Sequence, residues 1–352
     1  MMDEDIYCRL KECLHNMPGG YPDGPDGIEI KILKKLYSPE EARLFLELKT
    51  EPEEAAAIHA RTGIDALVLS EKLEDMAMRG LIFRERIGDN VLYKTYQFFV
   101  GIIDAQINRV DLELANMLEE YFPYIGMTGI PLETKQLRVI PAGTAVDAKT
   151  TVATYNRMRE MVKDEELIAV APCLCRQMAA TKGRKCGHDH ETCLSFGNHA
   201  RFYLDNKVAR QISKEELLKL LDKAEEWGLV INTSNSQDLS IVCCCCPCCC
   251  GLLNNLRLLP QTSLAVNSCY QSVIEPKTCS MCGICLERCP IGAITEQEDH
   301  LEVAAEKCIG CGLCVSTCPE GAISFMDRPD AKLPPNDLPE LMTRFSKERG
   351  LI

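Results

Sequence analysis

Several common signals are missing from this 352-residue chain, and each omission removes a class of function. There is no G-x-G-x-x-G turn, Walker loop or flavin fingerprint, so nothing points to a bound nucleotide or flavin. No apolar run approaches the roughly 18 residues that a membrane-crossing helix needs. The opening Met1-Met2-Asp3-Glu4-Asp5 is acidic with no apolar stretch behind it, which predicts no secretory leader and a cytoplasmic protein. A basic excess is missing too: 39 Lys and Arg face 52 Asp and Glu, a formal net charge of −13. Phosphate binding needs basic surface, so DNA is not an expected partner. An acidic surface instead suits docking on a basic protein face.

What the chain has in quantity is cysteine, 22 residues in all. In a reducing cytoplasm disulfides rarely persist, so clustered cysteines signal metal or redox chemistry. Eight of them form a doubled C-x-x-C-x-x-C-x-x-x-C-P run. The first copy is Cys279, Cys282, Cys285, Cys289 and Pro290; the second is Cys308, Cys311, Cys314, Cys318 and Pro319, displaced by 29 residues at every cysteine. The repeat continues as Ile291-Gly292-Ala293-Ile294 and Glu320-Gly321-Ala322-Ile323. Zinc also takes four cysteines, but a doubled three-plus-one run closed by proline is not a zinc pattern.

This stretch resembles a bacterial-type two-cluster ferredoxin domain. The resemblance implies two [4Fe-4S] clusters and low-potential, one-electron transfer. It also implies that each repeat lends its fourth cysteine to the other. Cys279, Cys282, Cys285 and Cys318 would hold one cluster, and Cys308, Cys311, Cys314 and Cys289 the second. Gly283, Gly310 and Gly312 would let backbone N–H groups approach the cluster sulfurs.

The middle of the chain carries a second concentration. Cys173, Cys175, Cys186 and Cys193 offer four thiolates, and Cys243, Cys244, Cys245, Cys246, Cys248, Cys249 and Cys250 crowd seven into eight residues. Neighbouring side chains point apart, so only a subset of these seven can serve one metal. Three readings compete: further iron–sulfur clusters, a zinc site assisted by His188, His190 or His199, or a redox thiol site whose pKa is lowered by Arg176, Arg184 and Lys185. Arg176 could equally pair with Glu191.

The remaining signals predict an α+β, multi-domain chain. An N-terminal extension (1–36) contains Cys8, Cys13 and a loop from Pro18 to Gly27. Residues 37–125 predict three short helices, starting at Ser38, near Glu51 and at Asp65, then a hairpin around Gly88-Asp89-Asn90. That order is similar to a winged-helix domain. Its third helix is acidic, which favours protein contact or homodimerisation over DNA. One further helix is predicted over 101–123, ending before Pro123. A Cys-rich α/β middle domain (126–270) would contain strands at 137–141 and 167–171, a helix over 152–162 and another over 213–230. The two-cluster domain (271–327) and a tail (328–352) with a short helix at 338–347 complete the chain. The whole is similar to ferredoxin-like iron–sulfur proteins of anaerobes that join such a middle to such a C-terminus.

The expected function is single-electron transfer between a protein partner, the two clusters and the middle cysteines. Two alternatives stand beside it: a redox- or iron-sensing winged-helix regulator, and an iron–sulfur reductase with its own small substrate.

Overall fold

The computed structural model describes residues 2–143, 157–329 and 331–352. Helix α1 (Met2–His15) buries Ile6, Tyr7, Leu10 and Leu14 along one stripe and packs on α3. Helix α2 (Ile28–Leu36) comes next, then α3 (Pro39–Leu46), whose start is fixed by a reciprocal capping box between Ser38 and Glu41. Strand β1 (Glu53–Glu54) leads into α4 (Ala55–Thr62), which Gly63 ends in the left-handed region. Asp65 caps α5 (Ala66–Met78), and β2 (Phe83–Ile87) and β3 (Asn90–Lys94) form a hairpin joined by β1 in the order β1-β3-β2.

The single helix predicted over 101–123 is not formed. Val100 takes a left-handed conformation (φ 55°), and the chain makes a tight turn at Phe98–Ile102 and a 3-10 turn at Asp104–Gln106. A new helix, α6 (Leu112–Ile125), starts where the Asp111 carboxylate accepts from the Leu114 N–H at 2.8 Å. Ile102, Ile103 and Ile107 are buried as the spacing implied, but from turns. Pro123 lies inside the last turn of α6 rather than beyond it.

The middle is built on a seven-stranded sheet. Its strands are β4 (Leu137–Ile140), β5 (Ile168–Pro172), β6 (Glu191–Phe196), β7 (Arg210–Gln211), β8 (Val230–Ser234), β9 (Ile241–Cys245) and β10 (Val266–Asn267). The order is β10-β4-β8-β9-β6-β5-β7, antiparallel except for β10 with β4. Of the helix predicted over 152–162, residues 152–156 lie outside the described residues; the later part forms the short α7 (Met158–Met161). The other helices are α8 (Leu174–Thr181), α9 (Gly197–Asp205), α10 (Lys214–Glu226) and α11 (Gly251–Leu258). Ser213 caps α10 by accepting from Glu216 N–H, and Leu217, Leu221 and Ala224 form its buried face.

Strand β9 lies at the centre, and its pleat sorts its side chains. Val242 and Cys244, with Cys246 just beyond the strand, face the core that includes α10. Ile241 and Cys243 turn to the opposite side, toward the N-terminal helices, while Cys245 joins a third core with Cys250, Leu253 and Leu256.

After β10 the chain forms β11 (Tyr270–Ile274), α12 (Ile284–Arg288), β12 (Ile294–Glu296), β13 (Leu301–Val303) and β14 (Ile323–Asp327), with β11 paired to β14 and β12 to β13. This unit sits against the sheet through Ile291, Ala293, Ile309 and Leu313 on Val139, Val230, Leu253 and Leu256. Helix α13 (Leu338–Glu348) then buries Leu341 and Phe345, each contributing about 2 kcal/mol by area. Arg349 donates to the carbonyls of His15, Met17 and Pro18, which pins the tail to the N-terminal segment. Among the described residues no helix is long and apolar enough to cross a membrane.

Candidate metal centres

The C-terminal cysteines sit on two loops of matching form. In the first, Met281 (φ 54°) and Gly283 (φ 77°) curl the backbone, and the Met281 N–H points at Cys279 Sγ at 3.4 Å. In the second, Gly310 (φ 62°) and Gly312 (φ 74°) do the same, and the Gly310 N–H points at Cys308 Sγ at 3.4 Å. Ala293 N–H reaches Cys289 Sγ at 3.1 Å, and Ser272 N–H reaches Cys308 Sγ at 3.5 Å. Gly310 has two reasons to be glycine: its positive φ, and a β-carbon there would stand 2.3 Å from the Tyr270 carbonyl oxygen.

The last cysteine of each loop lies near the other loop's first three. Cys285 feels the charges of Cys279, Cys282 and Cys318, while Cys311 feels those of Cys314, Cys289 and Cys308. Burial pushes the Cys314 thiol up to about 12, so a metal must displace its proton on binding. Each set therefore offers four sulfurs with backbone donors aimed at them, the donor set and cradle that a cubane cluster requires. Residues 271–319 match the 4Fe-4S dicluster domain. The chain thus carries a C-terminal iron–sulfur domain. Among curated proteins none matches the chain.

The middle cysteines separate into two groups on opposite sides of β9. On the side that faces α6 and the dicluster domain, Cys193 of β6 stands opposite Cys243 in register. From there thiol contacts run Cys193–Cys243–Cys245–Cys250–Cys175–Cys173. These six line a cavity of about 90 Å³ together with Asp104 and Asn232, and Cys244 and Cys246 reach its wall as well. The neighbouring Cys243 thiol and burial hold Cys245 well above its usual range. Burial raises Asp104 to about 6, opposed by donation from the Gly101 N–H. Asn232 is 2% exposed, and neither its side-chain nitrogen nor its oxygen has a hydrogen-bond partner among the described residues. The sequence predicts Cys173 and Cys175 at the exit of an extended strand; the chain instead turns helical at Leu174, so they meet at the first turn of α8.

On the other side, Cys186, Cys246, Cys248 and Cys249 converge, with all four sulfurs within 4.8 Å of one another. The expected grouping of Cys186 with Cys173, Cys175 and Cys193 is therefore not formed, because the chain after α8 carries Cys186 to the opposite side of the sheet. None of His188, His190 and His199 joins this group. His188 lies against Trp227 and His199 against Phe83. Burial acts to raise the Cys246 thiol, but the hydrogen bond and charge of Arg176 overcome it and leave the group below its ordinary value. Arg176 does not pair with Glu191, which is bound by Arg210 at 2.7 Å. Cys244 is buried at the wall of that cavity, outside the four-sulfur group and outside the chain of thiol contacts, its pKa raised to about 12 by burial.

Asp104, Asn232 and Ser272 are site residues that sequence reasoning misses, because none lies in a motif.

Proposed function

We propose that the chain carries single electrons between a docked protein partner and a further iron–sulfur centre that a subset of the six cavity cysteines of the middle region would hold, through the dicluster domain. Cys279, Cys282, Cys285 and Cys318 would hold the outer cluster; Cys282 is exposed, which makes this end the port. Cys308, Cys311, Cys314 and Cys289 would hold the inner one. The observation that carries the reading is that Cys308 and Cys311 share one continuous core with Cys245 and Cys250. Arg257 reinforces this junction by donating to the carbonyls of Pro290 (2.9 Å) and Pro247 (3.3 Å), the residues directly after Cys289 and Cys246 in the chain. The clusters, when bound, supply the one-electron chemistry. The protein's part is to aim N–H groups at the sulfurs, which favours the more negative reduced state, and to exclude water from the inner path.

The N-terminal unit has the element order of a winged helix, and we read it as a protein-contact module. The basic residues of its hairpin are already engaged: Arg84 by Glu74, Asp205 and Asn206, Arg86 by Asp205 at 2.7 Å, and Lys94 by Glu85 at 3.5 Å. Helix α5 exposes Leu67, Val68, Glu71 and Asp75, a surface that repels phosphate.

Reductive titration of the anaerobic protein tests the main proposal. The dicluster domain alone takes up about two electrons. A larger uptake that falls back to about two in Cys250→Ser, with the dicluster EPR signal intact, is the expected result. Uptake of only two electrons by the unaltered chain would remove the middle site from the path.

A further inference from the structure

We infer that Cys186, Cys246, Cys248 and Cys249 bind a single tetrahedral, zinc-class ion, separate from the iron–sulfur centres. The inference holds whether or not the six-cysteine cavity takes part in electron transfer.

The sulfur spacing carries it. Cys186 Sγ lies 3.8 Å from Cys246 Sγ and 3.7 Å from Cys248 Sγ, and Cys248 Sγ lies 3.6 Å from Cys249 Sγ. Four thiolates at about 2.3 Å from one zinc ion form a tetrahedron whose edges are about 3.8 Å. A cubane cluster puts each thiolate on a different iron and so holds the sulfurs further apart. The dicluster domain supplies the comparison within the same molecule: among the described residues, only the Cys186 group brings three or more metal-ligating atoms within 4.8 Å of one another. Thiolate-only, four-coordinate sites select zinc or a single iron over harder ions, and a closed set of four leaves no position open for substrate.

A second observation agrees. Arg176 is fully buried, yet among the described residues no carboxylate pairs with it. Its head group donates to the carbonyls of Asp189 (2.8 Å) and Cys244 (3.0 Å) and to the Thr192 hydroxyl, and its charge acts on the neighbouring Cys246 thiol. A divalent ion with four thiolates carries two negative charges. Arg176 is the countercharge such a site needs, and the site is the countercharge that a buried guanidinium needs.

The placement defines the role. The ion would tie the loop after α8 to the turn Cys246-Pro247-Cys248-Cys249. That turn lies between Cys245 and Cys250, both of which line the cavity on the other side. The metal acts as a clamp that sets where those two sulfurs stand.

The test uses the full chain purified without oxygen, with zinc, iron and acid-labile sulfide measured together. The expected result is about one metal ion per chain beyond the iron matched by sulfide. The double variant Cys186→Ser/Cys248→Ser, altered at two accessible positions, should lose that ion and keep its iron and sulfide. Cobalt reconstitution of the unaltered chain gives an independent reading: intense thiolate-to-cobalt and tetrahedral d–d absorption that the double variant lacks. Loss of iron and sulfide together in the variant would show a cluster at this site, and retention of the extra ion would place it elsewhere; either overturns the inference. Should the variant fail to fold, octahedral or absent cobalt absorption in the unaltered chain overturns it as well.

Discussion

The dicluster loops and strand β9 both concentrate cysteine, on opposite kinds of backbone. In the loops, positive-φ residues such as Met281, Gly283, Gly310 and Gly312 curl the chain so that residues three apart face a common centre. Contiguous spacing alone then assembles most of a site. On β9 successive side chains point to opposite sides, so contiguous cysteines are driven apart. Cys243 and Cys245 of the strand join Cys175, Cys193 and Cys250, while Cys246, Cys248 and Cys249 of the turn that follows it join Cys186. A loop run therefore specifies one site, and a run that passes from strand into turn is divided between two sites that other elements must complete.

The sharpest way to break this comparison is to remove one buried ligand from the loop that adjoins the sheet. Cys311→Ser should cost one whole cluster, so iron and sulfide fall from about eight to about four per chain in the dicluster domain. The outer set, Cys279, Cys282, Cys285 and Cys318, should keep its cluster and its EPR signal. Loss of all iron would show that the two loops do not fold as separable sites.

Loop curvature itself is probed at Gly310. Gly310→Ala meets both a positive φ and the Tyr270 carbonyl at 2.3 Å, so it should destabilise the domain by about 2–4 kcal/mol. Gly292→Ala has a similar φ of 68° with nothing among the described residues within 4 Å of its added carbon, and should cost only about 1 kcal/mol. Denaturation midpoints of the two variants, compared under anaerobic conditions, check the difference; equal costs would mean that loop curvature alone governs.

Arg176 probes the strand side. Arg176→Met keeps much of the volume but removes the charge beside Cys246, and should weaken retention of the clamp metal about 10–100-fold against a chelator. Dicluster iron should be unchanged. If metal retention were unaffected, the buried guanidinium would have some other partner charge.

The same contrast separates what the sequence makes legible from what it hides. The doubled cysteine run is legible because loop chemistry is local, and so are α3, α5 and α10, whose caps at Ser38, Asp65 and Ser213 are local too. The division of the middle cysteines is not, because it depends on where Cys193 registers against Cys243 and on which side of the sheet Cys186 returns. Nor is the break at Val100, where burial of Ile102, Ile103 and Ile107 from turns mimics a helical stripe. Asp104 and Asn232 enter the cavity through long-range packing that leaves no motif.

A contact without sulfur provides the control for all of these. His199 on α9 is half-buried against Phe83 of β2, with Lys94 of β3 beside it, and its pKa is pushed down to about 4, by burial first and by Lys94 second. A histidine depressed in the folded state costs nothing while it is neutral in both states, above about pH 6.5. As pH falls from about 6.5 toward 4, the unfolded chain takes up a proton that the folded one resists, and stability declines. Allowing for its partial exposure, the loss should be about 1–2 kcal/mol, less than the full shift implies. His199→Gln should abolish this increment, seen as a smaller drop in urea midpoint between pH 7 and pH 5 than in the unaltered chain. Because the histidine acts at the contact between the hairpin and α9, dicluster iron content should be the same in both proteins across that range. An identical slope in the two would assign the acid sensitivity to the thiolate centres, and the separation between the sulfur sites and the N-terminal contact would then fail.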